Sequence, residues 1–236
     1  MKTNKIVLHI PHSSMNGIFD KHIGKWHPNA FFVNDCVREL TDWYVDMLFH
    51  IEMEGVEEVV FPFSRFVCDV ERLPNDEMEK IGQGIIYTHY RGYKRGLLTE
   101  DDRRDIYQLY NAHQEHLRES LSEGALLIDC HSFADNDYRY ADICIGFNED
   151  ESYDKGIVNK ISAGFKKSGY SVSFNEPYSN SIYPDTGFAY HSVMIEVNKR
   201  IYMDNNTLLL NKNARQWMRW YGCLERIYRK LLFPIY

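Results

Sequence analysis

The chain has 236 residues, of which 44% are hydrophobic and 26% are charged, the composition of a globular protein with a sizeable core. Its net charge of -7 provides no overall positive field for nucleic acid or an anionic membrane. The five cysteines lack CxxC spacing, and no apolar run has the length of a signal or membrane-spanning segment. We therefore expect a soluble, cytoplasmic protein with reduced thiols and no nucleic-acid or membrane partner.

Strand-like and helix-like segments alternate along the chain. The predicted strands are residues 6–10, 58–61, 66–70, 125–129, 142–145, 171–174 and 192–197. The predicted helices are residues 35–54, 99–123, 150–168 and 206–232. This alternation predicts one α/β domain over residues 1–236, with a mixed, largely parallel sheet flanked by helices. Ligands bind beyond the carboxyl ends of the strands in such sheets, so polar residues at strand ends are the candidate site residues.

Histidines follow two of the predicted strands. The first strand leads through Pro11 to His12 in "VLHIPHSS", and "ALLIDCHSF" leads to His131. A single histidine in this position is commonly a polar cap bonded to a neighbouring loop. Two neutral imidazoles and one carboxylate, however, form a common catalytic zinc shell, which lowers the pKa of its water to about 7. The pair therefore favours a metal site.

Glu196 is an isolated acid in the apolar strand "SVMIEVNKR". A buried carboxylate is costly unless it is paired or bound, so a functional role as general base is one interpretation. The other interpretation is that Glu196 faces solvent, or pairs with Lys199 or Arg200. The strand alone leaves both open.

Five motifs occur in an order that resembles the N-formylglutamate amidohydrolase family. They are "HIPHSS", "TDWYVDMLF", "SRFVCDVER", "DCHSF" and "IEVNKRIYM", which span residues 6 to about 203. The family is similar in fold to the zinc carboxypeptidases, so the resemblance implies a zinc-exopeptidase (phosphorylase/hydrolase-like) fold. It also implies one Zn²⁺, or another divalent metal, and hydrolysis of a linear amide.

The resemblance implies that His12 and His131 are metal ligands and that Glu196 is the base. Carboxypeptidases have a glutamate three residues after the first histidine, where this chain has Met15. The acid of the "TDW" motif, Asp42, is therefore the preferred third ligand, and Asp35 and Asp46 are alternatives. Asp42 and Asp46 are predicted to share a helix face.

Two arginines in "SRFVCDVER" are predicted to flank the strand over residues 66–70. The resemblance implies that Arg65 and Arg72 clamp the substrate carboxylate or polarise the scissile carbonyl, as guanidinium groups do. The alternative is that Arg72 pairs with Asp69 or Glu71. The family usually has asparagine where this chain has Glu71, and this added negative charge is expected to weaken binding of a diacid.

Several further residues are predicted to lie near the site or on the surface. Ser13, Ser14 and Asn180 are candidate substrate-binding residues. His9 is predicted to be a core histidine or one that orients a ligand. The irregular segment over residues 75–96 contains Tyr87 and is predicted to flank the site. His113 and His116 are predicted to lie on a solvated helix face.

The expected function is zinc-dependent hydrolysis of a small, acidic N-acyl amino acid. The leading reaction converts N-formyl-L-glutamate and water into formate and L-glutamate, a step of histidine catabolism. One alternative keeps the site and changes the substrate to a short peptide or another N-acyl amino acid. A second alternative is a catalytically inactive binding domain of the same fold.

Overall fold

A computed structural model describes residues 3–134 and 139–233. Its strands are β1 (Ile6–Ile10), β2 (Val56–Val60), β3 (His89–Tyr90), β4 (Tyr93–Lys94), β5 (Leu126–Phe133), β6 (Ile143–Gly146), β7 (Val172–Phe174) and β8 (His191–Asn198). Its α-helices are α1 (Ala30–Phe32), α2 (Arg38–Leu40), α3 (Val45–Phe49), α4 (Glu100–Ser120), α5 (Lys155–Lys167) and α6 (Ala214–Leu232). A π-helical turn (Val33–Val37) joins α1 to α2, and short 3₁₀ helices span Glu77–Ile81 and Lys199–Ile201.

Six strands form one sheet in the order β2-β1-β5-β8-β6-β7. The pairs β1·β5, β5·β8 and β6·β7 are parallel, whereas β6 and β8 are antiparallel. The predicted mixed, largely parallel α/β sheet is therefore confirmed. The strands β1 and β5 are buried along their whole length, including the polar side chains of His9, Asp129 and His131.

The chain divides into two compact units. Unit 1 comprises Met1–His9, Val45–Glu58 and Ser120–Tyr236, and unit 2 comprises Ile10–Tyr44 and Val59–Glu119. In unit 1, α5 and α6 approach so closely that a Cβ atom on Gly164 would lie 2.3 Å from the Ile227 side chain.

Unit 2 has two apolar clusters of its own. One is centred on Trp26, Phe32 and Phe66, with Trp26 and Phe32 stacked at a centroid distance of 4.9 Å. The other includes Phe61 and residues of α4. The start of α4 is a capping box: the Thr99 hydroxyl accepts from Asp102 N at 3.2 Å, and Asp102 Oδ2 accepts from Thr99 N at 2.6 Å.

The predicted strand over residues 66–70 is wrong, because this segment is a turn. Val67 N and Cys68 N both donate to Ser64 O, at 2.8 and 3.3 Å, and Asp69 N donates to Ile85 O at 2.8 Å. All five residues are buried. A run buried on every side has the composition of a core strand, and this composition produced the wrong assignment.

The predicted helix over residues 35–54 is interrupted. Thr41 has extended backbone dihedrals and Tyr44 has a left-handed φ of 63°, so α2 ends before Asp42 and α3 begins after it. Asp42 and Asp46 therefore do not share a helix face, which corrects the prediction. His113 also differs from its prediction, because it is buried against the Phe61 ring at a centroid distance of 5.1 Å. His116 is exposed, as predicted.

No helix in the described part of the chain is both long enough and apolar enough to cross a membrane.

Candidate functional site

A row of polar side chains lies on one face of the sheet in unit 1. Asp129 and His131 are two residues apart in β5, so they point to the same face. In the register of the parallel strands, His9 is opposite Asp129 and Glu196 is opposite His131. We call His9, Asp129, His131 and Glu196 the histidine–aspartate row. His131 lies inside β5, which continues to Phe133, rather than after the strand as predicted.

Asp129 connects the two histidines of this row. His9 Nδ1 donates to Asp129 Oδ1 at 2.8 Å, and His131 Nε2 lies 3.1 Å from the same oxygen. Burial raises the pKa of Asp129, but His131 and His9 outweigh it and hold that pKa below its usual range. An ionised carboxylate only accepts hydrogen bonds, so the proton of the His9–Asp129 hydrogen bond is on His9 Nδ1. The 3.1 Å contact with His131 is an ion-pair distance rather than a hydrogen bond.

Glu196 is buried, with 7% of its surface exposed, so the interpretation that it faces solvent is wrong. Arg200 pairs with Asp142 at 3.0 Å. Neighbouring strands are about 4.8 Å apart, which places the Glu196 backbone beside that of His131. The histidine–aspartate row therefore places the buried carboxylate of Glu196 beside His131, a candidate metal ligand. A carboxylate in that position can transfer protons.

A second polar group lies in unit 2, around Asp69. This fully buried carboxylate accepts hydrogen bonds from His12 Nε2 at 2.9 Å and from the Tyr87 hydroxyl at 3.0 Å. Arg65 donates to Asp69 Oδ2 through Nη2 at 3.2 Å and Nε at 3.3 Å. Glu71 N donates to Asp69 Oδ1 at 3.2 Å. We call His12, Asp42, Arg65, Asp69, Glu71 and Arg72 the acid–arginine cluster.

The electrostatics of this cluster keep Asp69 ionised. Burial raises its pKa, but Arg65 first and then His12 outweigh burial, so the pKa lies well below its usual value. Burial, assisted by Arg65, lowers the pKa of His12. His12 is therefore neutral, with its proton on Nε2 facing Asp69 and its lone pair on Nδ1.

Asp42 is the candidate acid on the Nδ1 side of His12. Its Oδ2 lies 3.8 Å from His12 Nδ1, and its backbone N donates to His12 O at 3.0 Å. Asp42 is buried, whereas Asp35 and Asp46 are exposed. Glu71, which the sequence suggested only as a partner of Arg72 and as an added charge near the substrate, is a further acid beside His12, with Oε2 3.8 Å from His12 Nε2.

The two arginines border the turn rather than a strand, which corrects their predicted setting. Arg65 lies 3.4 Å from Glu71 in addition to its contacts with Asp69. Burial lowers the pKa of Arg65, but Asp69 outweighs it and the pKa is raised. Arg72 lies 3.8 Å from Asp69 and 3.9 Å from Asp76. The contact between Arg72 and Asp69 agrees with the alternative that these two residues pair. The role of each arginine in binding substrate stays a prediction.

The remaining predicted substrate residues are less enclosed. Ser13 and Ser14 are half-buried, and Ser14 donates to Pro62 O at 2.8 Å. Asn180 is exposed, with a left-handed φ of 70°. Their contact with substrate stays a prediction.

Sequence reasoning undervalued the buried carboxylates Asp69 and Asp129. The sequence suggested Asp69 only as a possible partner of Arg72, whereas Asp69 also bonds Arg65 and His12. Asp129 was given no role of its own. The available signal was an aspartate inside an apolar run, the same signal that singled out Glu196. Tyr87, predicted to flank the site, is buried and donates to Asp69.

The chain is similar to known proteins in sequence and in fold. The family model for N-formylglutamate amidohydrolase matches residues 4–203. The fold resembles the crystal structure of N-formylglutamate amidohydrolase from Ralstonia eutropha, with a TM-score of 0.77 and 19% identity over 100% of this chain and 96% of that one. It also resembles a gene product from Agrobacterium tumefaciens, with a TM-score of 0.60 and 16% identity over 98% of this chain and 91% of that one. No protein of curated function matches the chain. With 200 consecutive residues matched to its model, the chain belongs to the N-formylglutamate amidohydrolase family.

Proposed function

We propose that the chain is a metal-dependent amidohydrolase that removes the acyl group from a small N-acyl amino acid. N-formyl-L-glutamate, giving formate and L-glutamate, is the leading substrate because it is the one in the family's name. The observation that carries the proposal is the common setting of two buried histidines. His12 and His131 each lie beside a buried, ionised aspartate, and the hydrogen bond from His12 Nε2 to Asp69 leaves Nδ1 of His12 as its ligating nitrogen.

The residues present fit a divalent metal such as Zn²⁺. We propose His12 and His131 as nitrogen ligands, since zinc requires neutral imidazoles and both are buried. Asp42 is the proposed oxygen ligand, because it is a buried carboxylate on the Nδ1 side of His12. A bound Zn²⁺ supplies Lewis acidity, which lowers the pKa of water to about 7 and polarises a carbonyl.

The chain's own residues then move the proton and stabilise charge. Glu196 takes the proton of the attacking water and passes it to the leaving amine, as a general base and then a general acid. Its burial supports this role, since a carboxylate with little solvent around it has a raised tendency to accept a proton. Arg65 stabilises the negative charge that forms on the acyl oxygen or holds the substrate carboxylate.

Metal content tests the ligand set. The purified protein, loaded with zinc and dialysed, should hold one equivalent of metal by mass spectrometry. His12→Ala, His131→Ala and Asp42→Asn should each lose that equivalent, whereas His116→Ala, a control at an exposed histidine, should keep it. Retention of metal by either His12→Ala or His131→Ala contradicts the proposed site.

A substrate panel tests the reaction. Metal-loaded protein should release formate from N-formyl-L-glutamate faster than it cleaves N-acetyl-L-glutamate or a dipeptide. Faster cleavage of the dipeptide favours the peptidase alternative. If none of the three is cleaved by protein that holds metal, the chain is a binding domain of the same fold.

A further inference from the structure

A cavity of about 340 Å³ lies in unit 1, at the end where α6 begins. This volume is within the range of small-ligand sites, which begins at about 300 Å³. Asn213, the N-cap residue of α6, lines the cavity together with Arg215, Gln216 and Arg219 from the first two turns of the helix. Among the described residues that line it, none belongs to the histidine–aspartate row or to the acid–arginine cluster.

Two arginines give this cavity a positive charge. Arg215 and Arg219 are four residues apart in α6, so they lie on the same face of the helix. The acid that lines the cavity, Asp142, already has partners: Oδ1 accepts from Arg200 Nη2 at 3.0 Å, and Oδ2 accepts from Ser171 N at 2.9 Å. In the part of the chain that the structure describes, neither Arg215 nor Arg219 forms an ion pair with an acid. The cavity therefore presents two guanidinium charges that no described acid neutralises, although the net charge of the chain is -7.

Arg219 is held in place by an aromatic ring. Its guanidinium carbon lies 4.3 Å from the centroid of the Tyr170 ring, which is a cation–π contact. Gly169 leaves room for this arrangement, since a Cβ atom there would lie 3.1 Å from Arg219 Nη2. A guanidinium that stacks through its face keeps its N–H groups, which lie in its plane, for an oxyanion. The stacking also lowers the entropy cost of fixing this side chain when an anion binds.

We infer that this cavity binds a small organic dianion, whose two negative charges match Arg215 and Arg219. Guanidinium groups bind carboxylates and phosphates through two parallel hydrogen bonds, so a dicarboxylate and a phosphate monoester share the required chemistry. The positive end of the α6 dipole, at Asn213, adds to this preference for anions. The inference concerns residues outside the proposed metal site and does not depend on the proposed function.

Isothermal titration calorimetry of the purified protein at low salt tests the site with succinate and with methyl phosphate. At least one of the two compounds should bind, the tighter one identifies the ligand class, and its binding should weaken as sodium chloride is added. Arg215→Gln and Arg219→Gln should each weaken binding by about tenfold or more, because each loses charge-assisted hydrogen bonds. Arg219→Lys keeps the charge without the planar donors and should weaken binding less than Arg219→Gln does.

Arg229→Gln is the matched control. Arg229 is an exposed arginine of the same helix that pairs with Glu225 at 2.9 Å, so the substitution removes the same charge away from the cavity. It should change the affinity by less than about twofold. His131→Ala, in the proposed metal site, should also leave the affinity unchanged, which separates this cavity from that site.

Three results would overturn the inference. One is a wild type that binds neither compound at millimolar concentration. A second is an affinity in Arg215→Gln and Arg219→Gln that stays within twofold of that in Arg229→Gln. A third is binding that is lost in His131→Ala but kept in Arg219→Gln, which would place the anion at the proposed metal site instead. If Arg219→Gln does not fold, Arg215→Gln and Arg219→Lys decide the outcome.

Discussion

Asp69→Asn should destabilise the protein strongly, because the aspartate accepts bonds on both oxygens. Oδ2 accepts from Arg65 and Tyr87, and Oδ1 accepts from His12 and Glu71 N. An asparagine has one acceptor oxygen, so its amide NH₂ faces donors in either orientation. Breaking a buried ion pair by removing one partner costs about 3–5 kcal/mol, and we expect a loss of that size in the free energy of unfolding.

Urea titrations at pH 7 measure this loss. Asp76→Asn is the matched control. Asp76 lies 3.9 Å from Arg72 at 25% side-chain exposure, and it caps the 3₁₀ helix by accepting from Met78 N, a bond that asparagine can keep, so this substitution should cost under about 1 kcal/mol. The pKa of Asp69 is lowered in the folded state, so its stabilising effect is complete above the unfolded pKa of about 3.9 and falls as the pH drops below it. The difference between wild type and Asp69→Asn should therefore shrink below about pH 4.

Two results would refute this reasoning. The first is a cost for Asp69→Asn no larger than that for Asp76→Asn. The second is a difference from the wild type that stays constant from pH 7 down to pH 3, which would show that the ionised form of Asp69 is not the stabilising one.

Three further predictions concern catalysis, pH and packing. Glu196→Gln should keep its metal but lose about 10²–10⁴ in kcat, and a near-normal rate would contradict its role as base. Burial, with Arg65 adding to it, lowers the pKa of His12, so the unfolded chain takes up a proton below about pH 6.5 that the folded chain does not. The free energy of unfolding of the metal-free protein should therefore fall as the pH drops below about 6.5. In urea titrations, His12→Gln should reduce this dependence on pH. If the dependence is unchanged in His12→Gln, His12 is not its source. A Cβ atom on Gly24 would lie 2.0 Å from Gly17 O, so Gly24→Ala should lower the free energy of unfolding by about 1–3 kcal/mol or more, as measured by thermal unfolding. The control is Gly222→Ala in α6, where the new Cβ atom meets only the end of the Arg226 side chain. This control should be neutral or stabilising.

The central strands could be predicted because runs of apolar residues make up most of their sequences. β1 and β8 lie where the sequence places them, and β5 only extends further than expected. The turn over residues 66–70 could not be predicted, since its residues are equally apolar and its hydrogen bonds depend on Ser64 and Ile85. Burial decides the composition of such a segment, and its conformation is decided by partners elsewhere in the chain.

Some residues of the candidate site could likewise be predicted from the sequence, and others could not. His12, His131 and Glu196 could be identified because each is polar within or just after an apolar strand. The role of Asp129 could not, because its partner His9 is 120 residues away and only the strand register brings them together. Asp42 was placed on a helix because no glycine or proline marks the extended backbone of Thr41, where α2 ends, or the left-handed backbone of Tyr44 before α3.

Because β1 pairs with β5, one edge of β1 has no partner strand until β5 has been synthesised. His9 leaves the ribosome about 6–24 s before Asp129, at about 5–20 residues per second. All residues of unit 2 are synthesised before β5 begins. Unit 2 can therefore bury its two apolar clusters before β1 has paired with β5. During that interval the edge of β1 that pairs with β5 presents unpaired backbone groups to other nascent chains, which is the condition under which strands aggregate.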